Sequence, residues 1–204
     1  SPGATNFLTL NAAVAALQTE GVSGPVTFEF TDLSYTDTSV VIGGYAGQGV
    51  LNPVIFRKAA SVASVKITFT GLRTFGIRLD SASYVSFIGS TTLGQRPITF
   101  EVDSVIARNT IVISRSNNIR LEGLEVSGFK RFTDNLASVV IAQAPTVGST
   151  TPSTNIVYTN LLVKRGSTCI SANGISNANR DNNVTISYCD FGGDTFMETF
   201  TSRG

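Results

Sequence analysis

The sequence predicts an all-β fold: a right-handed single-stranded parallel β-helix, a solenoid, with an amphipathic helix capping its N-terminal end. Three observations lead there. The stretch Asn118-Ile-Arg-Leu-Glu-Gly-Leu-Glu-Val126 recurs as Asn155-Ile-Val-Tyr-Thr-Asn-Leu-Leu-Val163 and Asn183-Val-Thr-Ile-Ser-Tyr-Cys-Asp-Phe191, with an upstream relative in Tyr84-Val-Ser-Phe-Ile88. Each copy opens on a polar residue, alternates apolar and polar side chains, and reaches a second short apolar run, the pattern of a strand, a small corner and another strand. The copies begin 34, 37 and 28 residues apart (118 − 84, 155 − 118, 183 − 155), an irregularity expected when insertions fall in the turns of a solenoid. The remaining apolar runs are three to five residues long and too closely spaced to leave room for crossover helices.

Residues 8–20 form the one convincing helix: Leu10, Val14 and Leu17 fall at helical spacing, Thr9 or Asn11 can cap it, and Gly21 follows as a stop. A solitary amphipathic helix ahead of a run of strands is suited to cover the open end of a strand stack. Val26–Phe30 then alternates, with Val26, Phe28 and Phe30 to one side and Thr27 and Glu29 to the other. Further strands are expected at 40–42, 53–56, 65–69, 76–79, 85–87, 98–100, 111–113, 119–121, 139–141, 156–158, 168–170 and 184–186. The gaps between them are rich in Asn, Asp, Ser and Gly, which favour turns because they tolerate left-handed backbone angles or bond to their own chain. Two longer gaps, 144–154 and 171–182, read as loops extruded from single coils, because the repeat resumes after each.

An antiparallel sandwich also produces short strands with frequent turns. The recurrence of Asn118, Asn155 and Asn183 at the head of equivalent strands favours the solenoid, in which equivalent residues of successive coils stack as ladders. With about 25 residues per coil, one β-helix domain spanning 1–204 (cap about 8–20, coils about 24–200) would hold on the order of seven coils and extend about 35 Å.

Composition restricts function. Only 14% of the 204 residues are charged, and the net charge is +1, so the clustered basic charge that nucleic acid or an anionic membrane demands is missing. There is no histidine, which removes the commonest general base and most zinc ligand sets; no metal or other cofactor is expected. No apolar run approaches the 18 or more residues of a membrane span, so membrane insertion is not expected. The glycine-rich run 43–49 is not followed by Lys and Ser or Thr and does not read as a phosphate-cradling loop.

The run Phe7–Leu17 through Gly21–Phe28, then Tyr35-Thr36 and the glycine-rich segment before Pro53-Val-Ile-Phe56, resembles the N-terminal part of large secreted β-helix proteins of Bacteroidetes and related bacteria, many of them cargo of the type IX secretion system. The later coils headed by Asn are similar to the wider pectate-lyase-like superfamily, so the resemblance spans most of the chain. It implies an extracellular or cell-surface protein, and the chain then reads either as a whole subunit or as the N-terminal part of a longer one. Superfamily members that cleave polysaccharides use clustered aspartates, often with calcium, or paired carboxylates. The nearest counterpart here is Asp190-Phe-Gly-Gly-Asp194, preceded by Arg180 and Asp181, but the Gly-His-Gly segment of the polygalacturonase pattern is absent, and ordinary turn aspartates are the simpler reading.

Cys169 and Cys189 are the only cysteines. They are a candidate disulfide in an oxidising setting, although placement on a third and a second strand favours two core thiols. The basic pairs Arg57-Lys58, Lys130-Arg131 and Lys164-Arg165 lie at or near turns, as a ridge for acidic glycans or as solvated corners that discourage edge pairing, the latter being favoured. The final apolar run 195–200 reads as a strand with nothing to cap it, leaving an open edge for another copy. The leading expectation is a non-enzymatic structural or adhesive protein that assembles head-to-tail into filaments. The alternative is a polysaccharide lyase or glycoside hydrolase acting through Asp190 and Asp194.

Overall fold

A computed structural model describes residues 6–70, 73–103, 107–129, 139–143, 151–172 and 181–192. Helix α1 (Leu10–Glu20) is followed by a first coil of β1 (Val26–Phe30), β2 (Ser34–Asp37) and β3 (Val40–Ile42). The second coil holds β4 (Val54–Lys58), β5 (Val65–Phe69) and β6 (Phe75–Asp80); the third holds β7 (Val85–Ile88), β8 (Ile98–Val102) and β9 (Asn109–Ser114). The fourth holds β10 (Asn117–Glu122), β11 (Leu124–Ser127) and β12 (Val139–Gln143), and the fifth β13 (Thr154–Thr159), β14 (Leu162–Lys164) and β15 (Thr168–Ala172). A sixth contributes β16 (Asn182–Ser187) and β17 (Asp190–Phe191).

The strands stack into three parallel sheets of six, six and five members, in the orders β1-β4-β7-β10-β13-β16, β2-β5-β8-β11-β14-β17 and β3-β6-β9-β12-β15. Every pairing between these strands is parallel, which excludes the sandwich. The expected coil length was too short. Val26 pairs with Val54, Val54 with Val85, Ser86 with Arg120, Ile119 with Ile156 and Ile156 with Val184, offsets of 28, 31, 34, 37 and 28 residues. The described chain therefore holds five complete coils and two strands of a sixth, about 24 Å of stacked strands at the usual spacing. The extra residues lie in the corners.

Register puts like on like. Phe28, Phe56, Phe87, Leu121, Tyr158 and Ile186 form one inward column of the first sheet. Its first three rings stack at 4.9 and 4.8 Å with interplanar angles of 13° and 15°, and Phe100 meets Phe87 edge-on at 5.4 Å. The third sheet contributes Val40, Ile77, Ile111, Ile141 and Ile170. Apart from Ile186, which is exposed, and Phe28, which packs against the cluster partly buried, these side chains belong to one continuous buried core.

The heads of the repeated stretches have a conformational cause. Tyr84, Asn118, Asn155 and Asn183 have φ of 59°, 56°, 56° and 54°, the left-handed region that asparagine tolerates better than most residues. Asn155 Nδ2 donates to Asn118 Oδ1 at 3.1 Å and Asn183 Nδ2 to Asn155 Oδ1 at 2.9 Å, so the ladder read from the sequence is a continuous chain of side-chain bonds. A second left-handed corner ends the first-sheet strands of the last three coils, at Gly123, Asn160 and Tyr188.

The helix starts two residues later than expected, at Leu10, with Thr9 as its cap accepting from the Ala12 amide. Leu10, Ala13, Val14 and Leu17 are buried on β2 and β3, joining the core from its first-coil end. Asn11 fixes the angle of approach, donating its backbone N–H and its side-chain amide to the two oxygens of Asp37. Behind the helix, the Val22 amide donates to Ala46 O at 2.9 Å, and Gly47, at φ 80°, comes so close that a Cβ would sit 1.8 Å from Val22 O. Tyr45 of that loop is buried and donates to Ser83 O at 2.6 Å; burial pushes its phenol up to about 12. The glycine-rich run is thus a wedge between helix and third coil. Among the described residues, no helix is long and apolar enough to cross a membrane.

Candidate functional site

Where the first sheet turns into the second, the corners of the second and third coils enclose an open groove of about 730 Å³. Arg57, Lys58, Ser64, Ser90, Thr91 and Arg96 supply most of its polar lining. No carboxylate or thiol lines it, so it offers hydrogen-bond donors and positive charge but no acid–base pair. The cations are already engaged. Arg57 meets Glu29 at 2.7 Å, Lys58 Nζ donates to Val62 O at 2.7 Å, and Arg96 reaches away toward the last coil.

The far wall of the groove is the corner 89–97, nine residues where the same corner takes one residue in the fourth coil (Gly123) and two in the fifth (Asn160, Leu161). This corner runs along the axis of the stack. Gly89 and Ser90 lie directly on the fourth coil, so close that a Cβ on Gly123 would be 2.1 Å from Ser90 O. Asn160, almost fully buried in the fifth coil, accepts from the Gly94 amide through Oδ1 at 2.9 Å and donates through Nδ2 to Thr92 O and Gln95 O at 2.9 and 3.1 Å. Arg96 Nε donates to Asn160 O at 3.0 Å, and its Nη2 forms a 2.7 Å ion pair with Asp190 Oδ2.

That ion pair defines Asp190. The side chain expected as a candidate catalytic carboxylate is 68% exposed and held by Arg96, whose own side chain is only 13% exposed. Asp194 lies outside the described residues, as do Arg180, Lys130, Arg131 and the run 195–200, so the proposed pairing of Asp190 with Asp194 falls partly beyond what is described.

Asp181 has a different environment. It stacks at the head of the sixth coil in line with Ser153 and Ser116, and its Oδ1 accepts from the Ser153 amide at 2.7 Å. Burial raises its carboxyl above the usual carboxylate range, while the Ser153 amide and the nearby Gln143 amide pull the other way. Inside the solenoid, Tyr158 and Gln143 are completely buried and joined by a 3.1 Å hydrogen bond between Tyr158 Oη and Gln143 Oε1. Burial first and the Asp181 charge second push the Tyr158 phenol far up, so it stays protonated. This polar column bonds one coil to the next.

Cys169 and Cys189 both stand as thiols. Cys169 is completely buried on β15, its Sγ 3.5 Å from Val163 O, and Cys189 sits at the corner between β16 and β17, 3.2 Å from Ser187 O and 3.7 Å from Tyr158 O. Burial raises the Cys189 thiol, which makes it a poor nucleophile near neutral pH. Of the basic pairs, Arg57-Lys58 ends a first-sheet strand, whereas Lys164-Arg165 ends a second-sheet strand and pairs with Glu125 at 2.9 Å and Glu101 at 3.2 Å. These two pairs occupy different corners, and Lys130-Arg131, which the sequence aligns with Lys164-Arg165, lies outside the described residues. Among the described residues, no three of Cys, Asp and Glu cluster closely enough to hold a metal ion.

Sequence reasoning missed Arg96 and Asn160, the two residues on which this region is organised. The signal available was the length of the gap between Ile88 and Ile98, which breaks the short-corner pattern of the repeats. Comparisons with protein families, curated proteins and solved structures found no match, so the functional reading rests on geometry and chemistry.

Proposed function

We propose that this chain is a structural or adhesive β-solenoid of the cell exterior that associates with further copies through the edge of its sixth coil. The observation that carries the reading is the edge formed by β16 and β17. There Ile186, Tyr188 and Phe191 are 36, 70 and 39% exposed, at the ends of columns whose earlier members are buried. A strand edge with apolar side chains favours pairing with another chain. The other end of the stack differs, because α1 packs across the first coil. Docking of the sixth-coil edge onto the helix-capped end of the next copy gives a filament; two such edges meeting gives a closed pair. The exterior location is supported by the resemblance to secreted Bacteroidetes β-helix proteins and by the sparsely charged, hydroxyl- and amide-rich surface; type IX export belongs to the same proposal.

Sedimentation velocity and negative-stain imaging over a hundredfold range of concentration test it. Growth of larger species, suppressed by Ile186→Lys and Tyr188→Glu, is expected; a monomer at every concentration overturns it. A second reading, polysaccharide cleavage of the pectate-lyase-like type, is favoured only by the open groove beside Arg96. Turnover of an acidic polysaccharide that survives in Asp190→Asn and Asp194→Asn variants removes both aspartates from that role.

A further inference from the structure

We infer that the corner 89–97 is a longitudinal strap that makes the third to sixth coils a single cooperative unit and holds the sixth coil against opening. In a solenoid each coil touches only its neighbours, so a terminal coil can open by breaking one interface. The sixth coil has little hold of its own, since β16 has no fully buried residue and β17 is two residues long. The strap breaks the nearest-neighbour rule. It leaves the third coil at Gly89, crosses the fourth, clasps the fifth, reaches the sixth through the Arg96 side chain and returns to the third at Ile98.

Each crossing point carries the residue that the crossing requires. In the fourth coil it is Gly123, because any side chain there would collide with the Ser90 backbone. In the fifth it is Asn160, which keeps the left-handed corner at φ 52° and uses Oδ1 and Nδ2 on three backbone groups of the strap. At 2% exposure, these amide groups would lose their partners if the fifth coil separated from the strap. In the sixth coil the matching corner is Tyr188, exposed and left-handed, and the anchor moves two residues on to Asp190, within reach of Arg96. Opening the sixth coil then breaks an ion pair to the third as well as the strand bonds to the fifth. Within the strap, Thr92 N–H donates to Ser90 Oγ and Gln95 N–H to Thr92 O, so the corner is held in the shape that presents Arg96.

Hydrogen exchange read by mass spectrometry on the full chain tests the inference, comparing the natural protein with Asn160→Gly and Arg96→Gln. Glycine adopts the left-handed corner freely, so Asn160→Gly removes the clasp and keeps the turn. Amide protection in 154–164 and 182–191 is expected to fall roughly ten- to a hundredfold in Asn160→Gly and by a smaller factor in Arg96→Gln, with 10–20 and 26–58 unchanged. Arg57→Gln, which removes the exposed pair between the first two coils, serves as the control and leaves the last coils as protected as before. Unchanged protection of 182–191 in both strap variants overturns the inference, as does a loss of equal size in β1 and β4. If Asn160→Gly does not fold, Arg96→Gln decides alone.

Discussion

Replacing Phe87 with alanine tests the stacked core most directly. The ring is 1% exposed, stacked on Phe56 at 4.8 Å and met edge-on by Phe100 at 5.4 Å, so truncation removes a buried side chain and two aromatic contacts at once. The neighbouring coils are fixed by strand bonds on both sides and cannot collapse into the space, which places the loss at about 3–5 kcal/mol. For a chain of this length each kcal/mol lowers the melting temperature by about 2–4 °C, so a fall of about 6–20 °C is expected. Phe28 supplies an internal comparison. It belongs to the same column but is half-buried at the first coil, with Phe56 at 4.9 Å and Phe7 at 6.1 Å, so Phe28→Ala should lose about half as much. Thermal and urea unfolding followed by far-ultraviolet circular dichroism measures both. A Phe87→Ala loss below about 1 kcal/mol, or one no greater than that of Phe28→Ala, would refute the claim that this column is close-packed.

Other expectations follow from the corners and the interior. Because burial raises the Asp181 carboxyl in the folded state, its stabilising contribution is full below the ordinary carboxylate range and is lost as pH rises through the folded value. Asp181→Asn, which retains an acceptor for the Ser153 amide, should therefore stabilise modestly at pH 7 and leave stability at pH 3 unchanged in urea titrations. Asn155→Ala should destabilise by about 2 kcal/mol, since it strains a left-handed corner and cuts the ladder on both sides, while Asn155→Gly should lose less than half of that. An aromatic disulfide reagent should modify Cys189 slowly at pH 7 and faster above the ordinary thiol range, and should reach Cys169 only on unfolding; rapid reaction of both thiols in the folded protein would contradict their placement.

The strands were legible wherever a column needed an apolar residue. Val26, Phe28 and Phe30 show their alternation openly, and the Asn118, Asn155 and Asn183 heads mark a backbone angle that few residues accept. By contrast, β2, Ser-Tyr-Thr-Asp, passed unread as a strand. Its inward residues are Tyr35 and Asp37, and Asp37 is tolerated at 7% exposure because it binds Asn11 at the start of the helix, 26 residues away. The coil count was overestimated because corners such as 89–97 absorb residues without adding a strand. Asp190 was read with Asp194 across the Gly-Gly turn, whereas its partner Arg96 lies 94 residues upstream (190 − 96) and only the stacking of coils brings the two together. Asn160 had the same disguise: a turn asparagine by composition, a clasp by position.

The short sequence separation of the strand pairings bears on how the molecule comes to be folded. Every strand after the first coil finds its partner between 26 and 37 residues earlier, and the piece that closes the first end, α1, precedes all of them. Each new coil needs only the one before it as a template, so order can advance from the N-terminus while later residues are still being synthesised. Such a chain can gain order in one direction, each finished coil serving as the floor on which the next is laid.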